Sequence, residues 1–282
     1  MIVVGVDGSR VARAAVLWAA DDAVRMREPL RIVHAIDRLP YEIAAVPASD
    51  WADALVHGGQ RIVAQAETLA LERQPSVSVS TELRDGSPST VLREVARQAV
   101  ELVVGSRGLG GFVGVLLGSV STYLAAHGHG TVVVVREASR APHRQIVVGL
   151  DDTTGSELAL KYAFEQASLR GATLRVVHAW TAPSRVYAPA VVHTPEETLA
   201  ARRQLVVDRI APLTRCYTQV AVIEDVQCLH PVDALTRASA EADLLVVGSE
   251  GRHAVGPAPL GSVGRAVVHH ARCTVAIVRM PA

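Results

Sequence analysis

The chain repeats itself. "IVVGVD" at 2–7 returns as "IVVGLD" at 146–151, and "LRIVHA" at 30–35 returns as "LRVVHA" at 174–179. "ELVVGSRG" at 101–108 returns as "DLLVVGSEG" ending at Gly251, and "LGSV" at 117–120 returns at 260–263. The offset between counterparts is nearly constant, so the 282 residues are two tandem copies of one domain. Each copy is long enough to bury its own core. The expected organisation is a first domain at 1–138, a linker at 139–144 within the polar stretch "REASRAPHR", and a second domain at 145–282.

Within each copy, strand and helix patterns alternate. "IVVGV" ends in Asp-Gly-Ser, a helix start with Ser9 as N-cap, and Trp18, Ala19, Asp22 and Met26 follow on that helix. "LRIVHAI" is a second strand, and a segment containing Pro40 and Pro47 leads to a long helix over 51–72. "VSVSTEL" alternates as an outer strand does, and Ser87-Pro88 opens a further helix. "ELVVGS" and "TVVVV" complete five strands. Near-continuous valine marks strands covered on both faces, hence parallel strands between helices. Right-handed crossovers then give a doubly wound α/β sheet, Rossmann-like, in the order 3-2-1-4-5.

Composition removes several classes of function. Acidic and basic residues balance at 28 each, which argues against nucleic-acid binding by bulk charge. No apolar run approaches the roughly 18 residues of a membrane span. The start lacks a basic segment followed by a long apolar one, so a cytoplasmic location is expected. Cys216, Cys228 and Cys273 are too few and too unevenly spaced for a disulfide framework or a structural zinc site.

The richest chemistry lies in "GSRGLGGFVGVLLGSVS", 105–121, between the fourth strand and a helix. In an open parallel sheet, ligands sit beyond the strand carboxyl ends where the strand order reverses. Asp7 ends the first strand and Gly105 the fourth, so the two are expected to face one crevice. Glycines let backbone N–H groups approach a ligand, and Gly118-Ser119 opens a helix whose first N–H groups favour an anion. The loop is no P-loop, lacking Gly-Lys-Ser/Thr, and "GVDGSR" is not the dinucleotide fingerprint. The plain alternative is that these glycines only permit a tight strand-to-helix connection.

The spacing itself is distinctive. Gly105-x2-Gly108-x9-Gly118-Ser119 matches the G-2x-G-9x-G-(S/T) signature of the ATP-binding universal stress proteins, and Gly248-x2-Gly251-x9-Gly261-Ser262 matches it again. With "VVGVDGS" and "VVHA" the likeness spans both halves, so the chain resembles a tandem universal stress protein of the actinobacterial type. The resemblance implies ATP, with or without Mg²⁺, its adenine near Asp7, His34 and Ala35. It implies Gly105 and Gly108 beside the ribose and α-phosphate, and Gly118, Ser119, Val120 and Ser121 holding the phosphates. Arg107 is a candidate extra phosphate contact. The corresponding set in the second copy is Asp151, Gly248, Gly251, Gly261, Ser262 and Val263.

The copies are not equivalent. Glu250 replaces Arg107, Pro257 and Pro259 replace Gly114 and Leu116, Gly264 replaces Ser121, and Leu229 replaces Gly86. These changes add a negative charge beside a polyphosphate and remove donors, so the second site is expected to bind ATP weakly or not at all.

Other constellations carry less. His127 and His129, like His269 and His270 near Cys273, fall at a helix end before the last strand, where histidine suits the helix dipole. Asp151-Asp152 suits either Mg²⁺ or a helix start. No catalytic triad, Walker lysine or paired carboxylates appear. The expectation is an ATP-binding sensor or regulator of stress response with at most slow ATP hydrolysis. A phosphoryl- or adenylyl-transfer enzyme and a nucleotide-independent interaction scaffold are the competitors. In the resembled family the last strand forms the dimer contact. Here "TVVVV" and "CTVAIV" are expected to pair within one chain as a pseudo-dimer, with a homodimer and a protein partner as further associations.

Overall fold

Valine runs that must be covered on both faces dictate layers of helix around each sheet. The computed structural model describes residues 1–44, 47, 51–109, 117–137, 142–181, 195–250 and 260–280. The chain divides into two compact units, Met1–Ser139 and Arg140–Met280.

The first unit runs β1 (Ile2–Gly5), α1 (Arg10–Met26), β2 (Leu30–Ile36), α2 (Leu39–Ile43), α3 (Ala52–Arg73), β3 (Val79–Asp85), α4 (Pro88–Val95), β4 (Glu101–Gly105), α5 (Ser119–His127) and β5 (Thr131–Val135). All strand pairs are parallel, in the order β3-β2-β1-β4-β5. Ile2 lies opposite both Leu30 and Glu101, and Gly5 opposite Val33 and Val104. The order therefore reverses between β1 and β4.

Side-chain direction shows how the sheet is covered. A Cβ on Gly5 would meet Leu92 of α4, whereas one on Gly105, a single step past Gly5's register partner Val104, would meet Val11 of α1. Helices α1 and α4 thus cover opposite faces. The central strands are buried to 0–3% exposure from Ile2 to Val4 and from Leu102 to Val104. Each fully buried valine contributes roughly 1.5–3 kcal/mol, which is why these runs tolerate no polar interruption.

Local chemistry sets the helix ends. Ser9 caps α1, its Oγ accepting from Ala12 N at 3.1 Å. At the other end Arg27 takes a left-handed conformation, φ 57°, where the second unit has Gly171 at φ 56°.

The second unit repeats the plan with β6 (Gln145–Gly149), α6 (Thr154–Arg170), β7 (Thr173–Trp180), α7 (Pro195–Cys216), β8 (Val222–Cys228), α8 (Pro231–Ala238), β9 (Leu244–Gly248), α9 (Ser262–His270) and β10 (Thr274–Val278). Its parallel order is β8-β7-β6-β9-β10. Within each unit the five strands make a doubly wound, parallel α/β arrangement. Among the described residues no helix is long and apolar enough to cross a membrane.

Candidate functional site

In the first unit the crevice is built at the carboxyl ends of β1 and β4. The half-buried Asp7 carboxylate accepts two backbone N–H groups, Oδ1 from Ser9 at 2.9 Å and Oδ2 from Leu109 at 2.9 Å. The second bond joins positions 102 residues apart and fastens the start of the glycine loop to the end of β1. The turn between them needs Gly8, whose φ of +84° suits glycine.

Each glycine of the motif answers to a different neighbour. A Cβ on Gly105 would stand 3.0 Å from the Val11 carbonyl carbon and 3.1 Å from Ala12 N, so the first turn of α1 excludes a side chain there. A Cβ on Gly108 would stand 2.4 Å from Asp7 Oδ2. Gly118 differs. Its φ is −76°, and a Cβ there would meet its nearest atom at 3.5 Å, an ordinary contact. Neither conformation nor packing within the described residues asks for glycine at that position.

The far end of the loop is pinned by Gly118 N–H donating to Ser106 O at 2.8 Å. Gly118 is the N-cap of α5 and offers no side-chain cap. The N–H groups of Ser119, Val120 and Ser121 precede the first intrahelical donor, Thr122, which reaches Gly118 O at 2.9 Å. Ser119 is exposed and Val120 half-buried, both on the first turn of α5. Ser121 is buried, and its hydroxyl donates to Gly105 O at 2.6 Å, tying helix to strand. Arg107 is exposed.

His34 and Ala35 lie half-buried near the end of β2. His34 Nδ1 sits 2.7 Å from Val6 O. A carbonyl only accepts, so Nδ1 carries the proton, and in the neutral ring Nε2 is an acceptor. Its ring edge faces α3, where a Cβ on Gly59 would come within 3.0 Å of His34 Cδ2.

The second unit keeps the frame. Gly261 N–H donates to Ser249 O at 2.8 Å, matching Gly118 and Ser106. Gly248 is excluded from having a side chain by Gly155 O, 2.7 Å from its Cβ position. Asp151 Oδ1 accepts from both N–H and Oγ1 of Thr153, at 2.9 and 2.5 Å. Gly261 caps α9, with Ser262 exposed and Val263 half-buried on its first turn. Exposed Glu250 stands beside Gly155 at the start of α6. His178, the counterpart of His34, is only 1% exposed and stacks on Trp180 with ring centroids 6.2 Å apart. Gly251, Pro257 and Pro259, like Gly114 and Leu116 of the first copy, lie outside the described residues.

The sequence motif thus marks both ends of the loop, and the fold brings Asp7 to it. The motif passes over Gly8, the Leu109 N–H and the helix α3 residues Gly59 and Ile62. Ile62 meets Gly8, with its Cγ1 3.3 Å from the Cβ position. Only the adjacent glycines at 58–59, odd inside a helix, signal in the sequence that α3 takes part.

Comparison with known proteins agrees with this architecture. The family model described as "Universal stress protein family" matches residues 1–136 and again 142–279. Universal stress protein Rv1996 of Mycobacterium tuberculosis is 34% identical over 301 residues, covering 99% of this chain and 95% of the relative. Universal stress protein Rv2005c of the same organism is 36% identical over 294 residues, covering 99% and 96%. Among solved structures, a universal stress protein from Archaeoglobus fulgidus superposes with a TM-score of 0.75 at 16% identity, covering 99% of this chain and 96% of that one, a likeness of fold. A family model matched in both halves and relatives matched over nearly their whole length place this chain in the universal stress protein family.

Proposed function

We propose that the first unit binds ATP in the crevice between the ends of β1 and β4 and that the protein acts in the cytoplasm as a nucleotide-dependent sensor in stress response. The phosphates lie on the first turn of α5, held by the N–H groups of Ser119 and Val120 with Arg107 alongside, and any Mg²⁺ accompanies them. The ribose lies along Gly105 and Gly108, and the base lies towards His34 and Ala35.

One observation carries this reading. Gly118 is the motif glycine that packing among the described residues leaves unexplained, since its φ is ordinary and a Cβ would meet no described atom closer than 3.5 Å. A glycine kept bare at a helix N-terminus admits an anion to the backbone N–H groups, where the helix dipole also favours negative charge. Exposed Arg107 adds a cation to the same mouth.

The second unit binds ATP more weakly or not at all. There Glu250 brings negative charge to the position of Arg107, and buried His178 leaves less of its ring edge to a base than half-buried His34 does.

Titration with a fluorescent ATP analogue, comparing Gly118→Glu with Gly261→Glu, tests both statements. Loss of most binding from Gly118→Glu alone is the expected result. Equal losses from the two variants would refute the inequality of the sites, and no binding by the unaltered protein would refute the nucleotide reading.

A further inference from the structure

An arginine at the first position of a helix is electrostatically misplaced, because the positive end of the dipole repels it. Arg10 stands there on α1, directly after the N-cap Ser9, and no acidic residue shares that first turn. Its counter-charge comes from another element. Arg10 Nη2 lies 2.7 Å from Glu137 Oε2, two residues beyond the end of β5. The Arg10 side chain is 81% exposed and that of Glu137 34%, so the pair is open to water and weakly held.

The pair stands at the root of the glycine loop. The backbone of Val11 and Ala12 lies against Gly105, and Val135 is opposite Gly105 in register. The next residue, Ser106, donates its N–H to Val135 O at 2.8 Å and accepts from Gly118 N at 2.8 Å. Ser106 thus joins the end of β5 to the N-cap of α5. Helix α5 packs beside α4, on the face opposite α1, so its first turn lies across the strand end from Arg10. Asp7 is engaged by the N–H groups of Ser9 and Leu109, and Glu137 is the carboxylate set against Arg10. The second unit lacks the pair. Thr154 follows the N-cap Thr153 where Arg10 follows Ser9, and Met280 stands two past Val278 where Glu137 stands two past Val135. With Glu250 in the place of Arg107, all three charges of the first unit are lost or reversed in the unit with the altered loop.

We propose, resting on the ATP reading, that Arg10 reads the terminal phosphate and that Glu137 competes with the nucleotide for it. Strand order sets which phosphate. With the base towards β2 and the ribose over β1 and β4, the ligand runs towards β5, the side on which Arg10 meets Glu137. On binding, the guanidinium exchanges a carboxylate for phosphate oxygens, which its fork of donors matches with two parallel bonds. The exchange gives up little, because the pair it breaks is exposed to water. ADP is one phosphate short and leaves the ion pair in place. The pair is thus a triphosphate-sensing element, and ATP alone releases Glu137, two residues before the first unit ends at Ser139.

The test is calorimetric titration of the full chain with ATP and with ADP, for the unaltered protein, Arg10→Gln, Glu137→Gln and the double variant. All four fold alike, since the pair is exposed. Arg10→Gln should weaken ATP binding about tenfold with ADP affinity nearly unchanged, and Glu137→Gln should strengthen ATP binding about threefold. In the double variant the gain from Glu137→Gln should vanish, because no arginine is left to release. A gain that persists there would overturn the competition and assign the effect of Glu137 to bulk charge. Equal losses for ATP and ADP in Arg10→Gln would overturn the reading of the terminal phosphate. Unchanged ATP binding in that variant would overturn it too, while leaving the ATP reading standing. Binding of neither nucleotide by the unaltered protein would overturn both proposals.

Discussion

The carboxylate of Asp7 occupies the space that a side chain on Gly108 would need: the Cβ position lies 2.4 Å from Asp7 Oδ2. That oxygen accepts the Leu109 N–H at 2.9 Å, so the loop after β4 can close on β1 only if residue 108 has no side chain. Two residues about a hundred positions apart therefore specify each other, one as an acceptor and one as a gap.

This coupling predicts non-additive stabilities. Gly108→Ala forces the carboxylate aside and is expected to cost about 1–3 kcal/mol, as overpacking does. Asp7→Ala leaves two N–H groups without their acceptor and is expected to cost about 1–2 kcal/mol, given partial access to water. Together they should cost less than their sum by about 0.5 kcal/mol or more, because removing the carboxylate vacates the space the new methyl needs. Thermal unfolding of the two single variants and the double variant measures this; strict additivity would refute the coupling.

At Gly118 the prediction separates binding from stability. An alanine Cβ fits at ordinary distance, so Gly118→Ala should cost no more than the roughly 1 kcal/mol by which alanine is the poorer N-cap. Its ATP affinity should nonetheless fall, because the methyl shields the first turn of α5. A melt and a titration on the same sample decide it. An unchanged affinity would mean that the ligand does not approach this residue.

Arg27 holds a left-handed conformation at the end of α1, φ 57°, that costs a residue with a side chain of the order of 1 kcal/mol. Its counterpart Gly171 takes the same turn at φ 56° without that cost. Arg27→Gly should therefore stabilise the first unit by about 0.5–1 kcal/mol, less whatever the freer unfolded chain gives back. A lower melting temperature would contradict this.

Asp21 on α1 holds α3 from the side. Burial alone would raise its carboxyl, but hydrogen bonds from Arg73 and Gln74 at 2.7–2.9 Å, with the charges of Arg73 and Arg25, bring it below the ordinary 3.8. A carboxyl lowered on folding stabilises above its unfolded value and loses that contribution as pH falls through the folded one. Arg73 is more than half exposed, so Asp21→Asn should cost only about 0.2–1 kcal/mol at pH 7. The difference between the two proteins should shrink as pH falls below 3.8. A difference constant down to pH 2 would assign the effect to packing instead.

Much of the architecture could be read before any coordinates. The duplication, the valine runs and the Asp-Gly-Ser and Gly-Ser helix starts are local patterns, and each leaves a local signature. The frame of the glycine motif was legible for the same reason, since its positions hold the two ends of one loop. What could not be read was which neighbour each glycine serves. Gly105 answers to the backbone of α1, Gly108 to Asp7 and Gly59 to His34 and Leu83, and these pairings are distant in sequence. Ser121, which the resemblance alone assigns to phosphate, proves to donate its hydroxyl hydrogen to Gly105 O.

By itself the sequence determined that this chain is two copies of a parallel α/β domain and that its spaced glycine motif follows the fourth strand of each copy. Periodicity and spacing follow from the geometry of strands, helices and loops, and a linear pattern can carry them. Tertiary structure alone decided that Asp7 closes on Leu109, that Ile62 brings α3 to Gly8, and that Gly118 meets only ordinary contacts among the described residues where Gly105 and Gly108 leave no room for a side chain. Those relations depend on close approach between distant segments, where a few tenths of an ångström separate a necessary glycine from a spare one.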